Sequence, residues 1–489
     1  MSAVEPRDGT LSAGYVPTHD PPGLGRNTGG VRLRRVPNPR WRAVPYASLR
    51  AHPRYVALPP VERVLSAASI TPVVDDVALP FIRQHTEQWT AARAGRVTTS
   101  TFALALGFWS DDFALAHLRL PLRGRASREA RDAAARDAVS VALKDITADT
   151  ANANAGTRTR CLAAVEAYNA ELAAAIADGA NEEKLASLDM GGWAVTREHA
   201  VAAAAGGARD VACALGKEQE AAALLAVLGA FPNSHVLEIG SVALGGGGCG
   251  ANLAASPDGV LILPALGRSE DATETTLAKA VEAGSTGGFA KPTRSKAKPP
   301  KLAKGAERPA AKPLCVKSAV DERVPKNFIA VALEVKVASP FVWSTSGLKS
   351  YNNQAQYKID GAFDGARDSV APGHVPQAQL EASALGLAGT AVVSYSPASG
   401  GASAGASLRM RYVPRDDAYM EAALGILRCN AIGADGSSKV DPKDRDERRS
   451  RFNRLVRRTK RIASSAALVA DLAPIPIPEG ADGSTFLRL

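Results

Sequence analysis

Two short motifs hold the residues best suited to chemistry, Ser256-Pro257-Asp258-Gly259 and Leu333-Glu334-Val335-Lys336, which together offer two carboxylates and one amine. The run from Phe328 to Lys336 alternates large and small side chains and is rich in β-branched residues, as a strand should be. Side chains on a strand alternate faces, so Ile329, Val331, Leu333 and Val335 point one way and Glu334 and Lys336 the other. The Glu334 carboxylate and the Val335 carbonyl are hard ligands of the kind Mg²⁺ prefers, and Asp258 on a neighbouring turn can close the site. Lys336 then lies beside the attacking water. Metal-bound water is more acidic than bulk water, and the metal offsets charge building on phosphoryl oxygens, so the chemistry indicated is phosphodiester hydrolysis. Each motif also has a plain reading: Ser-Pro-Asp-Gly is a good type I turn, and Glu-x-Lys an exposed charged pair.

The bulk composition narrows the setting. A chain of 489 residues with a 46% hydrophobic fraction can bury one large core, while 5% aromatics and abundant Ala predict thin-sided helices. A net charge of +10 favours a polyanionic partner, and nucleic acid is the economical choice. Cys161, Cys213, Cys249, Cys315 and Cys429 have no CxxC spacing, and their odd number predicts a reducing compartment without a disulfide framework. No apolar run approaches bilayer length, and Met1 to Asp20 has acids where a signal peptide needs an apolar core. The expected compartment is intracellular: a nucleus if the source has one, otherwise the cytoplasm, with an organelle address beginning beyond Asp20 left open.

Along the chain, residues 1–55 read as a disordered basic arm rich in Pro, Gly and Arg. A single α/β domain is expected over 56–430, a mixed central sheet flanked by helices. It is interrupted by a helical insertion at about 105–210 and a low-complexity basic loop at about 266–326. Within the insertion, Ser127–Ile146 and Cys161–Ile176 carry helical periodicity, with Leu162, Val165, Tyr168, Leu172 and Ile176 in the latter. Another helix is expected from Lys217 to Gly229, where Glu220 joins Leu224 and Leu228 at four-residue steps. Further expectations are a helix holding Gln377, Gln379, Leu380 and Leu387, strands Ala391–Ser396 and Leu408–Val413, and a helix Arg415–Leu427. Residues 431–489 read as a basic C-terminal tail, whose Arg-dense stretch Lys443–Arg461 is open between a phosphate-contacting helix and a solvated tail.

Other pieces stand in order around the two motifs: Trp89 to Ser100 (WTAARAGRVTTS), Gly216 to Ala223 (GKEQEAAA), Pro376 to Gln379 (PQAQ) and Arg415 to Met420 (RDDAYM). Together they resemble the lambda exonuclease-like (YqaJ viral recombinase) nucleases of the PD-(D/E)XK superfamily, over roughly 85–430. The resemblance implies a restriction-endonuclease-like core and a Mg²⁺-dependent, or Mn²⁺-dependent, 5′-to-3′ exodeoxyribonuclease of recombination or repair. It further implies that Asp258, Glu334 and the Val335 carbonyl hold the metal, that Glu220 assists at a second metal position, and that Lys336 and Gln377 activate or place the water. Arg93, Ser100 and Ser256 would take the terminal 5′ phosphate, a fit for a guanidinium fork and neutral hydroxyl donors. DNA is the implied partner. The family's ring-shaped homotrimer is implied as well, though no residue here establishes assembly.

The chain departs from the family in its very long segment between the aspartate and Glu-x-Lys motifs and in Gly245–Gly250, where members can carry an auxiliary carboxylate. Two rival readings stay open: a structure-specific endonuclease on the same fold, and a DNA-binding module whose catalytic site has decayed. The GxGxxG match at Gly245, Gly247 and Gly250 is set aside, because a turn rather than a helix is expected after it. His235 and His374 are read as structural.

Overall fold

The computed structural model describes residues 32–33, 46–65, 78–93, 96–108, 154–179, 208–244, 253–286, 323–338, 341–344, 356–359, 365–396, 406–432 and 442–475. A mixed seven-stranded sheet organises them. From one edge to the other it runs β13 (Ala467–Ile475), β12 (Ala406–Pro414), β11 (Gly389–Ser396), β8 (Phe328–Val337), β7 (Gly259–Pro264), β4 (His235–Leu237) and β2 (Tyr55–Val56). β11 is parallel to β8 and β2 to β4, while the other neighbours are antiparallel. A small sheet joins β3 (Val97–Thr98), β6 (Leu253–Ala255) and β5 (Val242–Ala243), and another joins β1 (Arg32–Leu33), β10 (Gln356–Ile359) and β9 (Phe341–Ser344).

Helices cover both faces of the central sheet, which is why its middle strands are buried on both sides. On one face α1 (Tyr46–Arg50), α5 (Asn154–Ala177), α6 (Ala208–Ala230) and α7 (Ala272–Thr286) bring Leu49, Tyr168, Leu224 and Leu277 onto Val331, Leu333, Val393 and Met410. On the other, α4 (Thr99–Ala105), α8 (Val375–Leu385), α9 (Asp417–Ile432) and α10 (Pro442–Ser465) bring Phe102, Leu380, Met420 and Leu455 onto Ala332 and Val392. The strand alternation expected for Phe328–Lys336 therefore holds, with Val331, Leu333 and Val335 in one core and the small Ala332 leaving room for α8 over the other. A third cluster gathers α2 (Val61–Val64) and α3 (Glu87–Arg93), where Val61, Val64, Trp89 and Ala92 pack on Cys161 and Val165 of α5.

Several boundaries differ from the sequence reading. Residues 46–55, assigned to the disordered arm, form α1 and the start of β2, fixed by a buried Arg50–Glu238 ion pair at 2.8 Å and by Leu58 N–H donating to Glu238. The basic loop expected at 266–326 begins instead with the ordered helix α7, and residues 287–322 lie outside the described residues. Of the helical insertion, α5 is present with Val165, Tyr168 and Leu172 buried and Ile176 exposed, whereas Ser127–Ile146 lies outside the described residues.

The largest correction concerns the expected basic tail. Residues 442–475 form α10 and the edge strand β13, and α10 buries Leu455, Val456, Thr459, Ile462 and Ala463. Those five positions repeat at three- and four-residue steps, so the arginines between them face outward. Arg458 is the exception: its guanidinium forks onto Asp416 at 2.5 and 2.6 Å, tying α10 to the start of α9. Among the described residues no helix is long and apolar enough to cross a membrane.

If α10 belongs to the core, Ile462→Ala should lower the unfolding free energy by about 2–5 kcal/mol, whereas Arg457→Ala on its exposed face should change it by no more than about 0.5 kcal/mol. Urea unfolding of the two variants separates a packed helix from a solvated tail, for which both changes would be near zero.

Candidate active site

The β7–β8 ladder ends with Gly259 opposite Leu333, so Asp258, one residue before it, comes up beside Glu334 and Val335 of the neighbouring strand. Asp258 is fixed there twice: its N–H donates to Leu333 O at 3.0 Å, and its Oδ2 accepts from Val335 N–H at 2.6 Å. Glu334 is almost wholly buried, at 1% exposure. Lys336, two positions on and on the same face, donates from Nζ to Glu334 Oε1 and to Gln377 Oε1 at 3.4 Å. Thus Asp258, Glu334, Lys336 and Gln377 come together, although Asp258 and Val335 are 77 positions apart.

The turn before β7 is held from a third direction. Gln84 Nε2 donates to Pro257 O at 2.6 Å and to Ile239 O at 3.0 Å, bracing the Ser-Pro-Asp-Gly turn against β4's exit. Gly240 permits this approach, because a Cβ there would stand 2.2 Å from Ile82 O and 2.3 Å from Leu79 O. Gln379, named with Gln377 in the sequence motif, has a different role. It donates to Pro414 O at 2.8 Å and accepts from Asp416 N–H at 2.7 Å, joining the end of β12 to the start of α9.

Glu220 lies on α6, on the helix stripe that buries Leu224 and Leu228, and its Oε1 accepts from the Tyr46 hydroxyl at 2.5 Å. Burial first, then the negative charge of Glu334, pushes its pKa up to about 7, against the lowering effects of the Tyr46 hydrogen bond and Lys336. Burial likewise raises Asp258 well above the usual carboxylate range, with Glu334 and Glu220 adding to it. Burial alone would strip the proton from Lys336, but Glu334 and Asp258 outweigh it and hold the ammonium above its ordinary value. Lys336 is accordingly a standing cation and hydrogen-bond donor.

Sequence reasoning missed two residues of this cluster, Glu381 and Tyr46. Glu381 lies one helical turn beyond Gln377 on α8, is fully buried, and accepts from Gln377 Nε2 at 3.0 Å. Burial and then the Glu334 charge raise its pKa well above the ordinary value. The four-residue step from Gln377, and a lone carboxylate in the apolar run from Val375 to Leu385, were the available signals. Tyr46 was missed because it was placed in the presumed arm. His374, read as structural, sits just before α8; burial, Lys336 and Arg367 press its pKa down to about 3, so it stays neutral.

The presumed phosphate set is only partly assembled. β3 runs parallel to β6 with Thr98 beside Ala254, which brings the start of α4, including Ser100, alongside the chain entering Ser256. Ser100 bonds Thr98 at 3.1 Å, and the Ser256 hydroxyl is buried without a hydrogen-bond partner. Arg93 stacks on Trp89 at 3.8 Å, its Nε is buried and unpartnered, and burial lowers its pKa to about 10. No hydrogen bond joins Arg93 to either serine. Arg93 and Lys217 both depress the pKa of His85, to about 4 after burial, so a second cation stands on this side of the cluster.

As for a metal, no group of three His, Cys, Asp or Glu side chains among the described residues gathers at ligand spacing. The donor chemistry nevertheless fits a hard divalent cation: oxygen donors predominate, and the buried Glu334 Oε2 has no hydrogen-bond donor. The chain matches no family model, no curated protein and no solved structure. The nuclease resemblance therefore rests on the order of its motifs and on this geometry.

The raised pKa of Glu220 has a testable sign. Its carboxyl binds a proton more tightly folded than unfolded, so with EDTA present its contribution should make stability fall as pH rises from about 4.5 to about 7. Glu220→Gln, facing the same Tyr46, Glu334, Lys336 and Glu238, should flatten that slope in urea unfolding measured at each pH. Identical slopes in both chains would contradict burial of this carboxyl.

Proposed function

We propose that this protein is a Mg²⁺-dependent deoxyribonuclease on a restriction-endonuclease-like core, acting on DNA as a 5′-to-3′ exonuclease of recombination or repair type. The observation that carries the reading is the seating of Asp258 on the Val335 amide next to Glu334, at the end of the β7–β8 pairing, with Lys336 bonded to Glu334 and to Gln377. A surface charge pair or a simple turn would not need its two carboxylates on one face of a buried strand pair, where the Glu334 charge raises the proton affinity of Asp258.

Asp258, Glu334 and the Val335 carbonyl would hold the cation, and Mn²⁺ suits the same oxygen set. When bound, such a metal acidifies coordinated water and offsets charge on the phosphoryl oxygens. Lys336, kept protonated by its two acids, donates to the water or to the phosphoryl oxygen, and Gln377 fixes the direction of the ammonium. Glu334 orients Lys336 in turn, through the carboxylate oxygen that accepts its hydrogen bond. The Ser256 hydroxyl and the Arg93 Nε, both buried and unpartnered, supply donors for a terminal phosphate.

DNA is the partner this reading requires, and α10 supplies a surface for it. That helix packs beside α8, the carrier of Gln377, and leaves Arg454, Arg457, Lys460 and Arg461 exposed. Cations along one helix face next to the site suit the phosphate backbone of the strand being cut.

The decisive assay uses end-labelled linear and closed circular DNA with and without Mg²⁺. Linear DNA should be degraded only with the metal, circular DNA should survive, and Glu334→Gln or Lys336→Ala should slow cutting by at least about a hundredfold while DNA binding persists. Cutting of the closed circle would instead favour the endonuclease, and no cutting under any condition would defeat the enzymatic reading. Separately, the Arg454→Ala/Arg457→Ala/Arg461→Ala triple variant should bind duplex more weakly and reduce the slope of log affinity against log salt by about 2–3. An unchanged slope would remove α10 from the DNA path.

A further inference from the structure

Four side chains close a ring over the end of β8. Lys336 donates to Glu334 Oε1 and to Gln377 Oε1, and Gln377 donates onward to Glu381 Oε1 at 3.0 Å. The remaining side is closed by the packing of α8 against β8, which brings the Glu381 carboxyl near enough to that of Glu334 for the two to interact. Glu334 Oε2 and Glu381 Oε2 are both buried, and no hydrogen-bond partner from the surrounding chain reaches either. The two residues are 1% and 0% exposed, so both oxygens lie away from the surface. Orphaned buried anionic oxygens are costly, and facing pairs of them doubly so.

We propose that Glu381 is a further carboxylate of the cation site, presenting its Oε2 with that of Glu334 to a divalent metal ion; this rests on the nuclease reading above. The competing account is a proton held between the two carboxyls. A helix is a rigid place from which to aim such a group, and Gln377, one turn earlier, fixes its other oxygen. The same glutamine thus holds Lys336 on one side and Glu381 on the other, so the position of the ammonium and that of the extra carboxylate are set together.

Glu381→Gln separates the two accounts, because the amide keeps the shape, still accepts from Gln377, and can donate to Glu334 as a proton bridge would. Mn²⁺ binding is measured without DNA, by the loss of the free-ion electron paramagnetic resonance signal, alongside thermal unfolding in EDTA. The proposal expects Glu381→Gln to weaken Mn²⁺ binding by at least about tenfold while the melting temperature in EDTA holds or rises. Affinity within about twofold of the unaltered chain, with Asp258→Asn abolishing binding, overturns the proposal in favour of the shared proton and leaves the nuclease reading standing. Absence of Mn²⁺ binding by the unaltered chain overturns both. Should the Gln variant not fold, Glu381→Asp retracts the oxygen by one methylene while keeping its charge; weakened Mn²⁺ binding supports the proposal, and affinity equal to the unaltered chain counts against it.

Discussion

Like charges brought together on paired strands set the terms for the rest of this molecule. Two unit charges about 4 Å apart interact by about 4 kcal/mol at the effective dielectric of a protein, and here Glu220 and Glu381 add to the field of Asp258 and Glu334. One ammonium, Lys336, faces all of them. Such a cluster relaxes apart unless its backbone is held, and the holding falls to the β7–β8 pairing with helices packed on either face. The Val335 N–H that donates to Asp258 Oδ2 is the smallest part of that arrangement and the most local: the residue between Glu334 and Lys336 fixes the acid beside them. Protons or a cation must supply the rest of the balance, and the raised proton affinities of Asp258, Glu220 and Glu381 express the same deficit.

Support for the cluster comes from segments far from it in sequence. Tyr46 reaches Glu220 because α1 is pinned by Arg50 to Glu238, a pair so buried that removing either partner would leave an uncompensated charge costing about 3–5 kcal/mol. Glu238 keeps its charge there, since Arg50 and Arg83 outweigh the burial that would otherwise neutralise it. Gln84 braces the other side, through a backbone approach that only a glycine at 240 allows. These contacts make the N-terminal part of the fold a buttress for the acids.

The strand bearing Glu334 and Lys336 was legible because a period of two survives any context, and the turn before β7 was legible from Pro257 and Gly259. The mixed sheet with flanking helices followed from the succession of such elements. What escaped has physical reasons as well. In α10 the charged residues outnumber the apolar ones, so composition suggested a tail, yet Leu455, Val456, Thr459, Ile462 and Ala463 form one stripe and burial follows the stripe. In residues 46–55 the stabilising contact is an ion pair across 188 positions, which no local pattern can announce. Glu381 escaped because its importance lies in what α8 is packed against, which the spacing of its helix does not mark.

The long interruption between Asp258 and Glu334 looks at first like an obstacle to any shared site, and the fold explains why it is not. It leaves the sheet beyond Pro264 and returns at Phe328, which are themselves a paired position, so six successive pairs from Gly259–Leu333 to Pro264–Phe328 stay intact. Closing a longer loop adds only a logarithmic entropy cost, about 0.6 kcal/mol for each doubling. The first part of the interruption is not free chain in any case. Asp271 caps α7 by accepting from Thr273 and Glu274 N–H at 2.9 Å, and the buried Glu274 accepts from Asn233 N–H at 2.7 Å and the Ser234 hydroxyl at 2.8 Å, just before β4. Leu277, Ala278 and Val281 then join the core beneath β8 and β12. α7, anchored to the strand beside β7 at its start and to the sheet's own core along its length, tightens the register on which the carboxylates depend.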